Sequence, residues 1–356
     1  MRKLAQIQAF GGNFTPNIEL TSSNWGTLTS DTAWYSKIVS IGGTGVLVKR
    51  YTLATNTASF YLKTTNSGWS LNLSSLLLTS LTKLSVSNVT TLLIYSNSII
   101  NFSPNFSLPS GLTKIDARLN GMTTFNPIIT LPNTVQIIEL GNNSIVTFNP
   151  TIALPSGLLI LRLEVNQIVT FNPTIALPSG LQALYLYSNQ IVTFNPSIAL
   201  PSGLQVLYLQ GNQIVTFNPT IALPSGLQVL YLYSNQIVTF NPSIALPSGL
   251  TYLALSRQNI SSLNPTIPLP NSLKTLTLDY CKFTSLSGFL TLPTALTTLD
   301  LTYNTMTTAG YTASEAWATA QATTTNCTIK LTGNTNGASG TTFASILLAK
   351  GYTLIY

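Results

Sequence analysis

Histidine is missing from all 356 residues, and charge is scarce. Without an imidazole, Ser/His/Asp and Cys/His nucleophile arrangements, histidine metal sites and histidine proton shuttles are excluded. Lys, Arg, Asp and Glu make up 6% of the chain, against about 25% in an average soluble domain. From Val165 to Ser256 there is no charged side chain at all. Solubility there must rest on Asn, Gln, Ser, Thr and Tyr, a composition suited to a protein packed into an assembly or displayed outside a cell. Cysteine occurs twice, at Cys281 and Cys327, too few for a disulfide framework. No Walker A or dinucleotide-binding glycine pattern is present, so no cofactor is expected. No apolar run reaches membrane-spanning length. The opening MRKLAQIQAFGGNF has a basic start but lacks the apolar stretch of a secretory signal. The net charge is +7, with Arg2, Lys3, Lys37, Lys49, Arg50, Lys63 and Lys83 against only Glu19 and Asp31 in residues 1–88. No basic run exists and the centre is neutral, so nucleic acid is not an expected partner.

What the chain has in abundance is repetition. Leu-Pro-x-x followed by an aliphatic residue begins at Leu108, Leu131, Leu154, Leu177, Leu200, Leu223, Leu246, Leu269 and Leu292, always 23 residues apart. The unit starting at Leu181 returns at Leu227 with a single difference, Val229 in place of Ala183. A period of this length means a solenoid, in which each unit buries its apolar face against its neighbours. Leu184 and Leu186 are two apart, so a strand points both inward and leaves Ala183, Tyr185 and Tyr187 on the other face. Ile191, Phe194, Ile198 and Leu200 are expected to carry the core around the back. Prolines such as Pro196 and Pro201 disfavour a helix there. Phe102, Phe125, Phe148, Phe171, Phe194, Phe217 and Phe240 should stack as a core spine.

Aligned on Leu181, the unit reads L-x-x-L-x-L-x-x-N-x-I-x-x-F-x-P-x-I-x-L-P-x-x. Over residues 89–307 this resembles the leucine-rich-repeat family, whose signature is L-x-x-L-x-L-x-x-N/C-x-L. The Asn position forms a column of Asn97, Asn120, Asn143, Asn166, Asn189, Asn212, Asn235, Gln258, Cys281 and Asn304, suited to satisfying backbone groups at the turn after each strand. Cys281 reads as a small buried thiol at a place where the family tolerates Cys. The resemblance implies a mainly β fold, a leucine-rich-repeat solenoid with parallel strands on the concave face and a non-helical convex side. A small β-rich N-terminal region (1–70) and a small α/β C-terminal cap (308–356) flank the solenoid (71–307). The N-terminal runs are 37–50 and 51–63, with Trp25, Trp34 and Trp69 nearby, and residues 71–88 read as a degraded coil. The cap should hold a helix at 312–322, a strand at 327–331, a helix at 342–350 and a strand at 352–355. The tail from Thr328 to Tyr356 is similar to tails that follow such repeats in bacterial-surface and bacteriophage proteins.

Two sets of outward side chains bear on function. Asp116, Glu139 and Arg162 occupy one column, with Arg118 and Glu164 one strand position further on; these read as a register-fixing charge patch rather than a carboxylate pair of the glycosidase kind. Asp279 and Asp300 lie near each other and read as solvated charges, with cation binding as the alternative. The aromatic set is the candidate ligand site: Tyr185 and Tyr187, then Tyr208 and Gln210, then Tyr231 and Tyr233, with Tyr252 following. Gln182, Gln205 and Gln228 flank them, and Tyr280 and Tyr303 continue nearby. Such rings offer apolar area with a hydroxyl tip, suited to sugar faces or a partner's surface. The competing reading is that Tyr favours strand surfaces and that duplication copied it. The expected function is therefore non-enzymatic recognition or adhesion, binding a cell-surface glycan or protein. The tail resemblance implies a virion component of tail-fibre or head-fibre type, at a virion surface or outside a cell. Other assembly proteins would be met through the N-terminal region. A structural spacer of a particle and a bacterial surface adhesin are the alternatives.

Overall fold

The computed structural model describes residues 18–22, 46–54, 57–64, 69–74, 78–84, 89–102, 108–324 and 326–356. It forms two compact units, residues 1–167 with 173–181, and 168–172 with 182–356. Trp25, Trp34 and residues 37–45 lie outside the described residues.

The first unit opens with an antiparallel sheet of β1 (Ile18–Ser22), β2 (Val46–Ala54), β3 (Thr57–Thr64) and β5 (Leu78–Leu84), in the order β2-β3-β1-β5. Strand β2 runs on through Ala54, across the 50/51 boundary read from the sequence. A parallel run then begins with β4 (Trp69–Asn72) and continues through β6 (Val89–Leu93), β7 (Lys114–Asp116), β8 (Ile137–Glu139) and β9 (Ile160–Arg162). The segment read as a degraded coil is thus divided. Its Leu78–Leu84 stretch joins β1 antiparallel, because an alternating strand pattern does not say which neighbour it pairs with.

The second unit repeats one coil with little change. Strands β10 (Ala183–Tyr185), β11 (Val206–Tyr208), β12 (Val229–Tyr231), β13 (Tyr252–Ala254), β14 (Thr275–Thr277) and β15 (Thr298–Asp300) pair in parallel, each register shifted by the 23-residue period. Only three residues of each coil are strand. The middle one is always buried, as at Leu184, Leu207 and Leu230, and the leucine two positions on is buried too. No helix occurs among the described residues of 71–307. The back of the coil is a run of bends without helix, and its rings stack: Phe194 on Phe217 at 6.4 Å and Phe217 on Phe240 at 6.0 Å between centroids. One expectation for the back fails. Ile198 and Leu200 are only half-buried, whereas Pro196 is buried beside the phenylalanines. Proline has no backbone N–H, so Pro196 is buried there without stranding a donor.

The asparagine column works as a ladder. Asn212 Nδ2 donates to Leu186 O of the preceding coil and Leu209 O of its own, both at 2.9 Å, while its Oδ1 accepts from Ile191 N at 3.0 Å. Gln258 and Cys281 hold the same post. Gln258 accepts from Ile237 N at 2.8 Å, and Cys281 Sγ donates to Leu255 O at 3.3 Å. A second ladder, unread in the sequence, runs along the exposed back. Asn195 Oδ1 accepts from both Thr220 N and Thr220 Oγ1 at 2.9 Å, and Asn218 does the same for Ser243 at 2.8 Å.

The parallel run ends in β16 (Thr328–Lys330) and β17 (Thr353–Ile355), overlain by α1 (Thr308–Ala313), α2 (Glu315–Ala320) and α3 (Thr342–Ala349). The helix expected over 312–322 starts earlier and breaks at Ser314. Thr307 caps it by accepting from Gly310 N at 3.2 Å, and the buried Ser314 hydroxyl accepts from Leu286 N at 2.7 Å. Gly310 must be glycine, since a Cβ there would lie 1.9 Å from Thr284 O.

Candidate functional site

The short strands of the second unit place one tyrosine column in direct register, Tyr185 beside Tyr208 beside Tyr231. All three are half-buried and stacked face to face. Centroids are 4.6 Å apart for the first pair and 4.9 Å for the second, with rings inclined by 18° and 6°. This matches the strand spacing of about 4.8 Å, so the backbone period sets the ring period. It also corrects the use read from the sequence. Ring faces are spent on one another, so the ladder offers ring edges and a row of hydroxyls rather than open faces for sugar stacking.

The remaining candidates fall in two flanking columns. Tyr187, Gln210 and Tyr233 form one, and Gln210 is 9% exposed with an Oε1 that meets no hydrogen-bond partner. Tyr252 belongs to the other column, aligned with Val229, and does not extend the ladder in register. It reaches the ladder's end by leaning. Its ring centroid is 5.1 Å from that of Tyr231 at 44°, while Tyr233 meets Tyr231 edge-on at 6.0 Å and 85°. Burial pushes the Tyr231 and Tyr252 hydroxyls above their ordinary range, and neighbouring Asp279 and Asp300 oppose ionisation of Tyr252 further. Tyr280 and Tyr303 stack apart from this set, at 4.5 Å, with the Arg257 guanidinium over Tyr280 at 4.6 Å.

The charged patch of the first unit is a closed network. Register places Glu139 between Asp116 and Arg162. Arg118 clamps Asp116 at 2.7 and 2.9 Å, Lys114 Nζ is 2.9 Å from Glu139 Oε2, and Arg162 approaches Glu139 at 3.6 Å and Glu164 at 3.8 Å. Burial pushes the Asp116 carboxyl up, but hydrogen bonds from the Arg118 guanidinium and backbone N–H outweigh it and hold it below the usual range. Burial raises Glu164, whose Oε2 has no partner. Lys114, Arg118 and Arg162 balance Asp116, Glu139 and Glu164, so no net charge is left to focus on a substrate.

No family model and no curated protein matches the chain. Among solved structures it is similar to a chain of the octameric complex of Latrophilin 3 (Lec, Olf), Unc5D (Ig, Ig2, TSP1) and FLRT2 (LRR). That match has a TM-score of 0.51 and 18% identity, over 72% of this chain and 88% of that one. The fold is a leucine-rich-repeat solenoid. A leucine-rich-repeat protein of Leptospira interrogans also aligns, at a TM-score of 0.38 and 20% identity, over 76% of this chain and 78% of that one.

The structure continues the leucine-rich-repeat asparagine column one step beyond the sequence reading. Asn334 Nδ2 donates to Leu301 O at 3.1 Å and Leu331 O at 2.7 Å, inside the cap. It was hidden because it follows Asn304 by 30 residues, not 23. Ala254 and Ser256, which end the tyrosine ladder, were likewise missed. They stand 23 residues after Tyr231 and Tyr233, and the register of β12 with β13 pairs Ala254 with Tyr231.

Proposed function

We propose that this leucine-rich-repeat chain is a non-enzymatic recognition protein that binds a surface glycan through the strand face of its second unit. The observation that carries this reading is the stack of Tyr185, Tyr208 and Tyr231, half-buried and in register within a stretch free of charge. A row of hydroxyls repeating at the strand spacing suits a polyhydroxylated polymer lying along it. The exposed Gln182, Gln205 and Gln228 add amide donors and acceptors beside that row. The reading of a fibre-type virion component rests on the charge-poor composition and on a tail whose sequence reads as similar to those of bacterial-surface and bacteriophage proteins, and a bacterial surface adhesin is its alternative.

The test is binding of the purified chain to an array of surface polysaccharides and cell-envelope extracts. The Tyr185→Ser, Tyr208→Ser, Tyr231→Ser variant is measured beside it. The expected result is binding that the triple variant loses by at least tenfold while its circular dichroism is unchanged. Equal binding by both forms would move the site off the ladder. A second reading, a spacer, is favoured by the near-identity of the coils at Leu181 and Leu227. It expects that deleting one whole 23-residue coil leaves every binding signal intact.

A further inference from the structure

Asn-Gly, the dipeptide most prone to spontaneous loss of ammonia, occurs twice, at Asn120-Gly121 and Asn336-Gly337. The reaction is an attack of the glycine backbone nitrogen on the asparagine side-chain carbonyl carbon. Glycine favours it because no Cβ shields that nitrogen. The two sites share this chemistry and differ in what the fold allows.

Asn120 is a rung of the asparagine column. Its Nδ2 donates to Ile94 O at 3.0 Å and to Ala117 O and Arg118 O at 3.1 Å, while its Oδ1 accepts from Ile99 N at 3.0 Å. For Cγ to reach Gly121 N these bonds must break, which leaves part-buried backbone groups unpaired. Asn336 is exposed, in the loop between β16 and α3. Among the described residues its side chain makes one contact, Oδ1 accepting from Thr308 N at 3.4 Å, longer than an ordinary N–H···O bond. Gly337 is exposed as well, and a Cβ built on it would meet nothing within 4 Å. The cyclic imide that forms there has room, and the departing amide nitrogen gives up no partner.

We propose that Asn336 is a self-modification site, converting without an enzyme to a mixture of aspartate and isoaspartate while Asn120 stays intact. Gly337 N bonds to Asn336 Cγ, the Cγ–Nδ2 bond breaks, and the Gly337 amide proton leaves with that nitrogen as ammonia. Water then opens the imide. Attack at Cγ restores the ordinary backbone with an aspartate side chain. Attack at the main-chain carbonyl reroutes the backbone through Cγ and gives isoaspartate. Either opening consumes one water and releases one proton to solvent at neutral pH. The cap thereby gains a negative charge in a chain where charge is scarce.

The experiment holds the purified full chain folded at 37 °C in mildly alkaline buffer and follows its digests by peptide mass spectrometry. Isoaspartate is counted by methyl transfer from an isoaspartate methyltransferase. The Asn336 peptide should exchange amide for acid at least tenfold faster than the Asn120 peptide, with isoaspartate at position 336. In urea the two peptides should convert at rates within threefold of each other, because the ladder no longer holds Asn120. Gly337→Ala, for which the loop has room, should slow the conversion at least tenfold and leave the thermal melt unchanged. Equal rates in the folded chain, or an Asn336 rate that Gly337→Ala does not lower, overturn the proposal. An Asn120 that stays slow in urea overturns it too, since its protection would then come from local sequence and not from the ladder.

Discussion

At the scale of single residues, the chain is held by side chains that act as backbone. An asparagine amide at each turn satisfies a carbonyl of its own coil, a carbonyl of the coil before, and an amide in that earlier coil. Asn212→Ala leaves all three unpaired in a buried setting, where each lost partner costs about 1–3 kcal/mol. We expect at least about 3 kcal/mol of destabilisation in urea unfolding, and a loss under 1 kcal/mol would show that water replaces the amide. Cys281 occupies the same post with one weak donor. Burial pushes its thiol up to about 12, and that of Cys327 to about 11, so neither is a thiolate at neutral pH. A disulfide reagent at pH 8 should therefore modify both only as fast as the chain unfolds. Rapid labelling of the folded protein would contradict this. The residue before each position of the asparagine column is left-handed, with φ 53° at Tyr280, before Cys281, and 52° at Tyr303, before Asn304. There the repeated turn geometry overrides the preference of a bulky side chain.

The coil is the next scale, and its economy is that three strand residues suffice once neighbours supply the rest. Phe217 sits between Phe194 and Phe240 with 1% exposure. Replacing it with alanine should cost about 3–5 kcal/mol, read as a shifted denaturation midpoint. A smaller loss would mean that the two flanking rings close the gap. This spine and the asparagine column were legible in the sequence because both depend only on the period. The tyrosine ladder was legible as a column but not as an orientation. Nothing in the spacing says whether adjacent rings stack face to face or splay apart. That choice decides between a sugar-stacking platform and a row of hydroxyls.

Over the whole molecule, charge is concentrated away from the coils that carry the ladder. The patch of the first unit brings two carboxyls with opposite tendencies together. Arg118 holds Asp116 below its ordinary 3.8, so the unfolded chain takes up that proton first as pH falls. Its stabilisation is present above that range and is lost as pH drops through the folded pKa. Burial holds Glu164 above its ordinary 4.5, so the unfolded chain releases that proton first as pH rises. Stability is then lost between the unfolded and the folded pKa. Glu164→Gln is accordingly expected to raise the melting temperature at pH 7 and to leave it unchanged at pH 4. The same shift at both pH values would point to packing against Gly141, where a Cβ would meet Glu164 Oε1 at 2.7 Å. No helix of the described residues is long and apolar enough to cross a membrane.

The 23-residue period by itself determined the solenoid, its inward leucines, its aromatic spine and the absence of helix from its back, because these are properties of one coil repeated. It could not reach features that depend on which coils meet or on how side chains turn. Leu78–Leu84 pairs antiparallel with β1, the α1 helix begins at a threonine cap and stops at Ser314, and Asn334 joins the column after a longer loop. Tyr252 leans onto Tyr231 although it stands in the neighbouring column. Local periodicity fixes what each residue faces, whereas long-range pairing decides what it faces across the gap.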